Sequence, residues 1–137
     1  MMPGPYDYFD RPVVELLQDD VFTLSAVRTW VSAARSGRCA HASLRGGFAA
    51  RQVDDALFAF LCAMTLVDRH GYGTMRFAPL CYCKVSDDEA RILTLFAAAR
   101  TESPRLIRIA ASLVDDDMAA QLAGAATRFG SALRLRT

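Results

Sequence analysis

Two short clusters, Cys39-Ala40-His41 and Cys81-Tyr82-Cys83, carry three of the chain's four cysteines and one of its two histidines. Zinc takes thiolate sulfur and imidazole nitrogen in a tetrahedron, at about 2.3 Å and about 2.0 Å. Cys39, His41, Cys81 and Cys83 thus have the types and the number of a four-ligand zinc set, and zinc is the one cofactor the sequence suggests. The spacing argues against it. Structural sites usually separate paired ligands by about two to four residues, whereas each pair here encloses a single residue. Side chains two apart on a strand leave the same face and need a bend in the chain to wrap one ion. The plainer expectation is that Cys81 and Cys83 pack inward as small apolar groups while Cys39 and His41 lie in an unrelated loop. Cys62 falls inside an apolar run and is expected to be a buried, inert thiol.

A second cluster overlaps the first. From 35 to 51 the chain carries Arg35, Arg38, Arg45 and Arg51 together with His41, Gly46 and Gly47, and no acid. Guanidinium forks beside glycine-exposed amides can hold a phosphate or carboxylate. No phosphate-loop spacing is present, so a solvated basic loop accounts for the same residues. Further on, two capped helices with a short turn between them resemble a helix-turn-helix, which would put Arg105 and Arg108 at the start of a recognition helix. Leu106, Ile107 and Ile109 make that helix apolar for a nucleic-acid groove, and a net charge of +1 provides no global attraction. Nucleic acid is therefore not the favoured partner.

Catalytic arrangements are missing in a specific way. Asp54-Asp55, Asp87-Asp88-Glu89 and Asp115-Asp116-Asp117 all fall where helices begin, where capping explains them. His70 closes an apolar helix, where it satisfies terminal carbonyls. Neither a serine elbow, an HExxH nor a dinucleotide fingerprint occurs, and the balance leans away from an enzyme.

These residues sit on a mainly α scaffold. A proline-, glycine- and aspartate-rich arm, partly flexible, covers 1–10, with a short helix from Pro12 to Gln18 after it. Leu24, Val27, Val31 and Ala34 predict an amphipathic helix over 21–36, and a loop follows over 37–47. The run ALFAFLCAMTLV predicts a central helix, about 54–69, buried on all sides and too short to span a bilayer. Residues 72–85, broken by glycine and proline, suggest a short extended or β-hairpin insert. Ser86-Asp87-Asp88-Glu89 is a capping box that opens a helix over 86–100. Ser103-Pro104 opens another over 104–114, and the aspartates at 115–117 interrupt it or cap a further helix through Leu133. The expected architecture is one domain, 1–137, a small bundle of four to five helices around the central one.

Of the 137 residues, 53% are apolar, a surplus that a symmetric homodimer would cover. The N-terminus lacks the basic and apolar regions of a secretory signal, and nearly all the cations are arginine beside abundant alanine. A cytoplasmic, bacterial protein is expected, with no membrane partner. The reading that follows is a small non-enzymatic regulatory or adaptor domain that self-associates through apolar helix faces and binds an unknown protein or small molecule. The competing reading is a zinc-binding or nucleic-acid-associated regulator built on Cys39, His41, Cys81, Cys83 and the basic segment 35–51.

Overall fold

A computed structural model describes residues 4–73 and 75–135. Among them are six α-helices: α1 Gln18–Arg35, α2 Ala40–Ala50, α3 Leu57–His70, α4 Asp87–Arg100, α5 Leu106–Leu113 and α6 Asp116–Leu135. Single 3-10 turns at Pro5–Asp7, Val13–Glu15 and Asp54–Ala56 punctuate the loops. The mainly helical class holds, with six helices rather than four to five. The described residues form no strand, only two isolated bridges, Pro12 with Lys84 and Gly71 with Val114.

Five phenylalanines, one from each of five helices, define the core. Phe22 of α1 meets Phe48 of α2 with ring centroids 5.1 Å apart, and Phe48 meets Phe60 of α3 at 5.6 Å. Phe129 of α6 lies 5.3 Å from Phe60 and 5.0 Å from Phe96 of α4. Such tilted and edge-on pairs add about 0.5–1.5 kcal/mol each beyond the area they bury. Where α6 passes the end of α4, a Cβ on Gly130 would come 2.9 Å from the amide nitrogen of Arg100, so only glycine permits this approach.

The extra helix is α2, which replaces the expected loop. Gly46 and Gly47 inside it each cost about 1 kcal/mol of helix propensity. Leu44 and Phe48, four residues apart, bury themselves in the core and override that cost. Gly37, at φ +70°, supplies the left-handed turn that separates α1 from α2.

The expected hairpin does not form either. An isolated pair of strands is marginal in water, and the described residues 71–73 and 75–86 instead run as an irregular strap. Its backbone pairs with the N-terminal arm: the Val13 amide donates to the Cys83 carbonyl at 2.8 Å, and the Val85 amide to that of Arg11 at 2.9 Å. The arm is docked by Tyr8, buried with Leu24, Val85, Ala90, Leu93 and Ala97 in a second, smaller cluster. The first three residues of the expected flexible arm lie outside the described residues. The short helix expected over 12–18 shrinks to the turn Val13–Glu15.

Helix α3 is central but not buried on all sides. Ala59, Phe60, Ala63, Met64 and Val67 face the core, while Phe58 is 75% exposed and Leu61, Cys62, Thr65 and Leu66 are half-buried. An apolar sequence marked a helix with two apolar faces, of which the fold covers one. No helix among the described residues is long and apolar enough to cross a membrane.

Candidate functional site

The bundle buries one ion pair completely. Arg28, 3% exposed on α1, donates from Nε to Glu89 Oε2 at 2.8 Å and from a terminal nitrogen to Oε1 at 2.9 Å. Its guanidinium also donates to the carbonyls of Tyr82 at 2.8 Å and Lys84 at 2.7 Å. Glu89, with no exposed surface, accepts in addition from the amides of Ser86 at 2.9 Å and Ala78 at 3.0 Å. The capping box read from Ser86 and Glu89 is present, with the Glu89 amide 3.4 Å from the Ser86 hydroxyl. Burial alone would raise the Glu89 carboxyl, but bonds from Arg28, Ser86 and Ala78 together hold it below the usual carboxylate range. With each of its side-chain nitrogen and oxygen atoms engaged, the pair staples the strap to α1 and α4.

A second charged knot joins four segments of the chain: the arm at Tyr8, the start of α1, and the ends of α2 and α4. Asp19, at the start of α1, accepts from Arg51 at 2.6 Å and lies 3.7 Å from Arg100. Asp20 accepts from Arg100 at 3.3 Å and from the Tyr8 hydroxyl at 3.1 Å. Burial, and then the Asp20 carboxylate, push the Tyr8 phenol far up, so it stays a donor. Arg51 also stacks its guanidinium over the Phe22 ring at 5.0 Å.

These knots decide where the candidate residues fall. Of the four arginines from 35 to 51, Arg51 is committed to Asp19 and Arg38 donates to the Ser32 hydroxyl at 2.9 Å. Arg35 ends α1, and Arg45 is exposed on α2. The amides of Gly46 and Gly47 lie within α2, inside a helix rather than ahead of one. Cys39 precedes α2 and His41 lies in its first turn, both exposed. Cys81 and Cys83 are exposed on the strap, as free thiols, rather than packed inward. Among the described residues, no three His, Cys, Asp or Glu side chains come together so as to hold a metal ion. Cys62 is half-buried on the outer face of α3, not enclosed in the core.

That outer face is the feature the sequence concealed. Between α3 and α6 runs an open groove of about 680 Å³. Phe58, Leu61, Cys62 and Leu66 form its α3 wall, and Ala120 and Gly124 lie on the α6 side. Thr65, Gln121 and Arg128 rim it with polar groups. A Cβ built on Gly124 would meet nothing within 4 Å, so no contact inside the protein requires glycine there. Thr65, the sole polar residue in the ALFAFLCAMTLV run, was the only trace of this face in the sequence.

Compared with models of protein families, with curated proteins and with solved structures, the chain matches none.

Proposed function

We propose that this chain is a small non-enzymatic interaction domain, of regulatory or adaptor type, that pairs with a second copy of itself through the α3–α6 groove. One observation carries the reading: the same face presents a projecting ring, Phe58, and an unfilled hollow at Gly124. A two-fold pair needs a patch that carries both knob and hole, because each residue's contact is repeated by symmetry. An apolar centre with a polar rim of Thr65, Gln121 and Arg128 has the anatomy of an interface core. A mid-helix glycine facing solvent costs about 1 kcal/mol relative to alanine, and close approach of a partner backbone offsets that cost.

Sedimentation velocity across a concentration series tests this. The native chain should sediment at twice its own mass at micromolar concentration, and Phe58→Glu should sediment as a monomer with an unchanged far-ultraviolet spectrum. A native chain that stays monomeric up to about 100 µM, an affinity too weak for a specific pair, overturns the reading.

A further inference from the structure

A cavity of about 410 Å³ lies between the N-terminal turn, α4 and α5, and shares no residue with the α3–α6 groove. Its volume is in the range of small-molecule sites, about 300–1,000 Å³. Three arginines line it: Arg91 from α4, and Arg105 and Arg108 from the start of α5. Arg91 is partly engaged, donating to the Ser112 carbonyl at 3.0 Å and lying 3.6 Å from Asp88. The guanidiniums of Arg105 and Arg108 donate no hydrogen bond to, and form no ion pair with, any described residue. They stand three residues apart on one helical turn, where two side chains can converge on one ligand.

The other walls mix apolar and hydroxyl groups, with Thr94 and Ser112 among them. Pro5 and Tyr6 of the N-terminal turn and Ile109 of α5 line the same cavity. Tyr6 is 87% exposed as the chain stands, with its ring against Phe9 at 5.3 Å. Two residues on, Tyr8 is 2% exposed and hydrogen-bonded to Asp20, so the turn that carries the Tyr6 wall is anchored before any ligand arrives. A preformed wall reduces the ordering cost of binding. Three cations against one carboxylate, facing an aromatic ring and aliphatic carbons, suit a ligand with a charged end and a flat or aliphatic body.

We infer that this cavity is a binding site for a small organic oxyanion, a phosphate or carboxylate carrying a ring or short acyl body, with Arg105 and Arg108 gripping the charge and Tyr6 and Ile109 the body. A guanidinium is the side chain best matched to either oxyanion, because its fork donates two parallel bonds.

Titration calorimetry with 1-naphthyl phosphate, 1-naphthoate and neutral 1-naphthol tests the inference on the full chain. Binding of at least one anion is expected, with the two anions distinguishing phosphate from carboxylate preference. Naphthol should bind about tenfold more weakly or worse, the worth of one charge-assisted contact. Arg105→Gln with Arg108→Gln should weaken the anion by about a hundredfold, two such contacts, while Phe58→Glu leaves it unchanged. Both arginines are exposed, so the double variant keeps its fold, checked by its thermal midpoint. Equal affinity for anion and naphthol, an undiminished affinity in the double variant, or no heat with either anion would each overturn it.

Discussion

The strap side of the bundle and the α3–α6 side invert the usual expectation of polar outside and apolar inside. Under the strap, a full charge pair sits in the protein with a hydrogen-bond partner for each side-chain nitrogen and oxygen atom. Between α3 and α6, a phenylalanine stands outward and Leu61 and Leu66 beside it are only half-buried. A buried pair with all its partners is complete within one chain, so it speaks of architecture. An apolar face with an unfilled hollow is left uncovered within one chain, and the proposed pairing rests on it.

The largest effect should come from breaking the complete side. Arg28→Ala leaves Glu89 buried without its cation and should destabilise the fold by about 3–5 kcal/mol in urea unfolding. A loss below about 1 kcal/mol would show that the strap is not held by this pair. The same carboxylate sets the acid limit. Its folded pKa lies below the unfolded value of about 4.3, so its contribution is present above that pH and is lost as pH falls through the folded value. Thermal midpoints should therefore drop between pH 5 and pH 3 (about the carboxylate range), and the drop should shrink in Glu89→Gln.

The two α6 glycines give the smallest and most discriminating effect. Gly130→Ala collides with the Arg100 backbone and should cost about 1–3 kcal/mol as an overpacking change. Gly124→Ala meets open space and should stabilise the isolated chain by up to about 1 kcal/mol. If α6 packs closely against a second copy, that same substitution should also shift sedimentation toward monomer. Stabilisation with unchanged association would move the interface away from Gly124.

Signals that act over a few residues were legible in the sequence. The capping box at Ser86–Glu89 and the helix it opens depend on spacing alone, and they appear where spacing put them. What was hidden required a partner distant in the chain. Nothing local to the 21–36 helix marked Arg28, because Glu89 is 61 residues away. Helix α2 carried two glycines, and only the phenylalanine cluster explains why it is helical. The uniform apolarity of α3 could not say which of its faces the chain would cover, since both read alike. The cysteines drew notice by type, yet three of the four are exposed and, among the described residues, none is gathered with two other ligands.

The strap is gripped mainly by its main chain: Arg28 takes two carbonyls, Glu89 two amides, and Asp88 the Arg76 amide at 2.6 Å. Backbone atoms are the same whatever residue carries them. Exposed positions such as 80, 81 and 83 are therefore free to drift in evolution, or to receive a spectroscopic label, without loosening the staple. Two of the residues that most invited a chemical role, Cys81 and Cys83, sit on the strap with side chains that the fold leaves exposed.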